Sequence, residues 1–339
     1  MSGPAPAAIR APAGIRERLR IASEVASALA DGRPVVALES TLISHGFSWP
    51  ENLEVARASE AAVRESGAVP ATVAIHGGRL LVGLEDDELR ALATAERGSV
   101  LKAARPSLAP ALAAGGWAAT TVSATMIAAH AAGITVFATG GIGGVHRAAE
   151  DAPGGVSLDI SSDLDELART PMVVVCAGPK AILDVPNTLE VLETRGVPVI
   201  AIGQPELPGF YARSAGVAAP HNVPDEGAAA DLVAAHLALG LGAGVLVCVP
   251  VPADVAMPEG VARDAVERAT READAAGVHG PDLTPWLLAR IAGITDGASV
   301  RANTALIVND AGVAGRLARA LAGAHRSPSS SVAAAAGRR

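Results

Sequence analysis

Residues 171–180 read PMVVVCAGPK, an unbroken apolar run closed by a Gly-Pro turn and then a lysine. A short β-branched run bounded by a turn signal marks a strand buried on both faces, as parallel sheets require. The same pattern recurs outward along the chain. Val35-Val36-Ala37-Leu38 ends at Glu39-Ser40-Thr41, the run 135–138 ends at Thr139-Gly140-Gly141, and 197–202 and 245–249 are further Val/Ile runs. Two more strands are predicted at 71–76 and 80–84, across Gly77-Gly78. Helical spacing fills the intervals. It predicts helices over 15–30, with Leu19, Ile21, Val25 and Leu29 on one face and Gly32 past the end, and over 52–65, 120–132, 258–276, 284–292 and 300–322. Strands alternating with helices predict an α/β fold, a three-layer α/β/α arrangement around a mostly parallel central sheet. A single catalytic domain is expected over 14–325, between a mobile Pro/Ala-rich extension at 1–13 and a disordered Ser/Ala/Arg-rich tail at 326–339.

Composition narrows the function. The chain has 339 residues, 50% of them hydrophobic and only 2% aromatic, with a formal net charge of −8. An acidic balance excludes a general grip on nucleic acid or on an anionic membrane, so any phosphate must be held locally. The uncharged stretches 106–146 and 232–253 are interrupted by glycines, histidines and, in the second, Pro250, and read as helix-plus-strand units rather than membrane spans. The N-terminal sequence lacks the continuous apolar core of a signal peptide, which favours the cytoplasm. Cys176 and Cys248 lie in apolar strand-like runs without CxxC spacing and are expected to be buried, reduced thiols.

The basic residues are lopsided, with 25 arginines against two lysines, Lys102 and Lys180. A lysine retained in an arginine-biased chain is a candidate for work that needs an amine. In parallel sheets ligands collect beyond the carboxyl ends of the strands, which is where Glu39, the Gly140–Gly144 run and Lys180 fall. A partly desolvated lysine amine can attack a carbonyl or an anomeric carbon; the structural alternative is a surface lysine on a turn. Glu39 ends a wholly apolar strand, either as an acid-base residue or as a buried ion-pair partner. Leu158-Asp159-Ile160-Ser161-Ser162-Asp163 offers oxygen ligands suited to Mg²⁺ or Mn²⁺, and Ser162 or Asp163 is also a candidate cap for a helix over 164–169. GGIGG is neither a Walker loop nor GxGxxG, though its amides could meet an anion; a structural turn is the plainer use. His45 and His146 follow two of these loops, where ordinary hydrogen bonding is the commoner role.

Taken together, VALESTLISHGFSWPEN (36–52), GAVPATVAIHGG (67–78), VFATGGIGGVHR (136–147), LDISSDL (158–164), VVCAGPKAILD (174–184), Trp286-Leu287-Leu288-Ala289-Arg290 and the region of Asn303 resemble the pseudouridine-5′-phosphate glycosidase family, which includes indigoidine synthase A-like proteins. The resemblance implies reversible cleavage of the carbon–carbon glycosidic bond of pseudouridine 5′-phosphate to uracil and ribose 5-phosphate, with Mn²⁺ (or Mg²⁺), commonly in a homotrimer. It implies Lys180 as nucleophile and Glu39 as proton donor. Lys102, Val122 and the Ser161-Ser162-Asp163 turn would meet substrate, Asp159 would hold the largely hydrated metal, and Thr139, His146 and Asn303 would lie nearby. Three departures are expected to matter: a longer segment at 151–155, Pro179 where a small residue is usual, and Ser162 in place of a small apolar residue. Two other readings share these features, a Schiff-base lyase or aldolase on another sugar phosphate and a catalytically silent sugar-phosphate-binding subunit.

Overall fold

A computed structural model gives the architecture and describes residues 12–96, 98–147, 157–278 and 283–326. The terminal segments expected to be mobile therefore fall almost wholly outside the described residues.

The sheet is the one that the apolar runs predict. Strands β2 (Val35–Leu38), β7 (Val136–Ala138), β9 (Val173–Cys176), β11 (Val199–Ile202) and β13 (Val245–Cys248) are buried along their whole length. With β3 (Val69–His76) and β12 (His221–Val223) they run in the order β3-β2-β7-β9-β13-β11-β12, every neighbouring pair parallel. Alternate side chains serve opposite layers, as strand geometry demands. Val36 and Leu38 pack towards α3 (Glu51–Glu65), α9 (Glu226–Ala238) and α12 (Ala298–Arg326). Val35 and Ala37 pack towards α2 (Ser23–Ala30), α6 (Val122–Ala132), α7 (Ser162–Leu167) and α8 (Val185–Thr194). The fold is three-layered α/β/α, as expected. The uncharged stretches are the predicted helix-plus-strand units, and no described helix is long and apolar enough to cross a membrane. Cys176 and Cys248 are adjacent in register, free and buried.

Beyond β2 the sheet changes character. The first half of β3 pairs parallel with β2, whereas its second half pairs antiparallel with β4 (Arg79–Val82) and with β6 (Ala118–Thr120). Strand β5 (Leu101–Ala103) hangs on β6 in parallel.

Three sequence expectations need correction. The helix at 15–30 is split into α1 (Ala13–Arg16), β1 (Leu19–Ile21) and α2, because Leu19 and Ile21 fit a strand period equally well and dock parallel on β4. The helix at 120–132 begins only at Val122, residues 118–120 being drawn into β6 by pairing with Ala74 and Ile75. The cap of α7 is Ser161, whose hydroxyl accepts from the Asp163 backbone N–H at 3.2 Å, rather than Ser162 or Asp163, and the helix ends at Leu167.

Candidate active site

The chain leaves β2 towards β3 on one side and returns to β7 on the other, so strand order reverses between β2 and β7. That reversal opens a crevice at the carboxyl ends of the strands. Glu39 stands at the end of β2 and Thr139 at the end of β7, and they meet across the gap: the Thr139 hydroxyl donates to Glu39 Oε1 while the Thr41 hydroxyl donates to Oε2. Glu39 is 8% exposed, buried but open to the cleft. After Thr41 the backbone makes one π-helical turn (Leu42–Gly46), a wide turn common at functional sites, which brings His45 to the cleft wall.

Beyond β7 and β9 the two glycine loops keep pairing. Ala177 N–H donates to Gly140 O at 3.1 Å, Ile142 N–H to Gly178 O at 3.2 Å, and Lys180 N–H to Ile142 O at 3.1 Å. Gly178, at φ +86°, makes the left-handed step that sends the chain back to Lys180, a conformation that a side chain would strain. Its N–H is received by the Cys176 sulfur at 3.3 Å. Lys180 thereby sits half-buried on a doubly braced turn, and the buried Pro179 bridges to Ile142.

Glu39, His45, Lys102, Lys180 and Asn303, all singled out in the sequence, line one cleft with Gly140 and Gly141 of the glycine run. Lys102 arrives from β5 and Asn303 from the first turns of α12. Desolvation holds the Lys102 ammonium below the usual lysine range; the Lys180 charge pushes the same way, and Glu39 and Asp163 oppose. Much of the Lys102 side chain is exposed, so the drying acts at its cleft end. Desolvation likewise lowers His45, helped by the charge of Lys102 and opposed by a Val100 backbone hydrogen bond.

The remaining sequence candidates stand beside the cleft rather than on its wall. Val122 is 1% exposed; its side chain is core, and only its backbone, at the start of α6, faces the ligand end of the sheet. Asp163 is buried, its Oδ1 accepting from Ser123 N–H at 3.0 Å and its Oδ2 from Gly143 N–H at 2.9 Å. Those bonds tie α7 to α6 and to the glycine loop, so the Gly143 amide meets the protein's own carboxylate. Gly143 has no room for a Cβ, which would run into Ser161. The Ser162 and Ser123 hydroxyls are 3.2 Å apart. Asp159 is exposed, and its carbonyl accepts from His146 N–H at 3.0 Å. Among the described residues no three His, Cys, Asp or Glu side chains converge on a metal position. One open carboxylate fits a divalent ion that keeps most of its water, and not a closed protein cage. The segment 151–155 lies outside the described residues.

Other wall residues carried a weaker signal. Thr41 stood out only as one of the polar residues that end the run 35–38, yet it clamps Glu39. Phe47 and Phe210, two of the chain's three phenylalanines, form an apolar side of the cleft with Leu42, Pro285 and Leu288. Scarcity, which pointed to the two lysines, applied equally to these rings. Behind the wall, Asp310 on α12 is fully buried; burial and the neighbouring Cys176 push its carboxyl well above the usual range, opposed by the Ala177 backbone and the Asn309 side chain.

Residues 24–320 match the family model for indigoidine synthase A like proteins. The chain belongs to that family. It is 53% identical over 304 residues to a pseudouridine-5′-phosphate glycosidase of Paracoccus denitrificans, covering 90% of this chain and 98% of that protein. It is 51% identical over 298 residues to one of Caldanaerobacter subterraneus subsp. tengcongensis, covering 88% and 95%. Among solved structures it superposes on the prealnumycin C-glycosynthase AlnA in complex with ribulose 5-phosphate, with a TM-score of 0.82 and 39% identity over 91% of this chain and 98% of that one. An indigoidine synthase A-like protein of Thermotoga maritima matches with a TM-score of 0.78 and 31% identity, covering 90% and 96%.

Proposed function

We propose that this protein cleaves pseudouridine 5′-phosphate reversibly to uracil and ribose 5-phosphate. The observation that carries the reading is the convergence, at one strand-order reversal, of an amine (Lys180), a hydroxyl-clamped carboxyl group (Glu39) and a second cation (Lys102). The relatives' activity, and the sugar phosphate held by AlnA, support it.

Ordinary glycosidases use two carboxylates and expel an oxygen or nitrogen. Here the leaving atom is a uracil carbon, a poor leaving group unless it is protonated as it departs. Lys180 Nζ attacks the anomeric carbon and displaces the ring oxygen, which takes up the proton that the amine gives up as the ribose ring opens. The carbon–carbon bond then breaks, its electron pair taking the proton from Glu39, and the adduct passes to an imine. Water hydrolyses the imine, releasing ribose 5-phosphate and the free amine. Lys102 and the Val122 amide at the start of α6 lie on adjoining segments, since Thr121 N–H donates to Ala103 O at 2.8 Å, and together they suit a phosphate, the Ser123 amide being taken by Asp163. Asn303 faces the same space, with Thr139 acting through Glu39. The Ser161-Ser162-Asp163 turn fixes the floor beneath.

Asp159, with His146 beside it on the backbone, is the position for a hydrated Mn²⁺ or Mg²⁺, which would supply positive charge near the substrate oxygens. A homotrimer in the cytoplasm completes the reading. Leu158, 90% exposed beside Asp159, is an apolar residue that assembly would cover.

The deciding experiment incubates purified protein with pseudouridine 5′-phosphate and, separately, with uridine 5′-phosphate, and follows released uracil. Cleavage of the first alone is expected; cleavage of neither overturns the reading. Chelation followed by add-back of each metal tests the cofactor, and light scattering tests the trimer.

A further inference from the structure

Against Glu39, and sharing Leu42 and Ile307 with the cleft wall, lies a second and much smaller cavity of about 10 Å³. Four polar side chains line it, Glu39, Ser59, Thr72 and Thr139, among apolar neighbours from β2, α3, β7 and α12. Such a volume matches one water, and a buried water needs two to four polar partners, which this lining offers. Ser59 already donates its hydroxyl proton to Val55 O at 2.9 Å, leaving lone pairs for the cavity. Thr72, 2% exposed on β3, donates its hydroxyl proton to Glu60 Oε1 on α3 at 2.5 Å, a bond whose direction reverses when Glu60 carries the proton. Glu60 is half-buried, so it touches both this interior chain and the solvent. The polar groups thus run from the surface of α3 to the carboxyl group proposed as proton donor, with one water-sized gap between Thr72 and Glu39.

We infer that Glu60 and Thr72, through a single water in this cavity, form a proton relay that reloads Glu39 after each cleavage. The inference rests on the reading of Glu39 as the acid. When the uracil carbon takes its proton, Glu39 is left as carboxylate inside a closed complex, with substrate and product between it and the bulk. Protonated Glu60 then donates to Thr72 Oγ1, the Thr72 hydroxyl donates to the water, and the water donates to Glu39. Glu60 recovers a proton from solvent, and hydrolysis of the protonated imine releases one with the products, so each turnover moves one proton inward through the relay, one outward by the cleft, and leaves the chain as it began. In the synthetic direction the transfers reverse. Desolvation raises the Glu60 carboxyl, favouring the protonated form that starts the relay; Asp86 and Glu24 push the same way, while the Thr72 hydrogen bond and Arg64 oppose. The charges facing it are themselves paired, Glu24 with Arg64 and Asp86 with Arg57.

The test is steady-state cleavage of pseudouridine 5′-phosphate by Glu60→Gln, Thr72→Val and Thr72→Ser, with trapping of the Lys180 adduct by borohydride in the presence of ribose 5-phosphate. Glu60→Gln and Thr72→Val should lower kcat by about tenfold or more, a part of what general acid catalysis supplies, with KM unchanged and a larger solvent deuterium isotope effect. Thr72→Ser, which keeps the hydroxyl, should restore kcat, and adduct trapping should proceed at the wild-type rate in all three. Values of kcat within twofold of wild type in both Glu60→Gln and Thr72→Val would overturn the relay. So would loss of adduct trapping together with kcat, which marks a structural role. Activity retained by Glu39→Gln and Lys180→Ala would instead overturn the reading of the site itself, so the two failures are distinguishable.

Discussion

Glu39 and Asp163 are both buried carboxyl groups at the ligand end of the sheet, but they are held by different donors. Two threonine hydroxyls reach Glu39, whereas two backbone amides reach Asp163. A hydroxyl can give or accept a hydrogen bond and can follow a carboxyl group as it gains and loses a proton. An amide N–H can only donate, so it suits an acceptor that stays ionised. The hydroxyl pair suits the proton donor proposed for Glu39, while the amide pair makes Asp163 a fastener between α6, α7 and the glycine loop.

The sharpest way to break this comparison is at the amine that the proposed proton donor serves. Lys180→Arg should lower kcat by more than about 10⁴-fold, because a guanidinium is not deprotonated in a protein and cannot attack carbon; retained uracil release would remove Lys180 as nucleophile. Glu39→Gln keeps the shape and the threonine contacts but has no acidic proton, and should cost about 10²- to 10⁴-fold in kcat with an unchanged melting temperature. Asp163→Ala should do the converse. It leaves the Ser123 and Gly143 amides without their acceptor and should destabilise the fold by about 2–4 kcal/mol in urea titrations. If it lowered kcat while stability held, the fastener reading would be wrong.

Lys102→Arg should have the smallest effect, a few-fold rise in KM with measurable turnover, since positive charge survives while the geometry changes. It should also alter the pH dependence. The Lys102 cation is lost at lower pH than an ordinary lysine's, so wild-type KM should rise on the alkaline side before the usual lysine range is reached. The arginine variant keeps its charge there, and its KM profile should lack that early rise.

Legibility in the sequence followed the same division. Strands β2, β9 and β13 could be read almost residue by residue, since a run such as Val173-Val174-Val175-Cys176 has no stable place except between two apolar layers. Glu39 and Lys180 stood out because each breaks such a run at its carboxyl end. Leu19 and Ile21 misled because three residues satisfy either period, and only the partner strand β4 decides between them. Asp159 and Asp163 looked alike from their spacing. Their separation came from tertiary contacts with Ser123 and Gly143, residues 40 and 20 positions away. The Thr139 clamp was illegible for the same reason, Thr139 lying 100 positions from the carboxyl group it holds.

Strand β3 joins these observations. Because its first half is bonded to β2 and its second half to β6, which carries β5, the spacing between Glu39 and Lys102 is measured out by a continuous ladder of main-chain bonds rather than by any loop. The proposed acid and the proposed phosphate clamp therefore share one rigid frame of reference. The distance that a bound nucleotide must span is thus set by strand register and not by the length of the segment that joins β4 to β5.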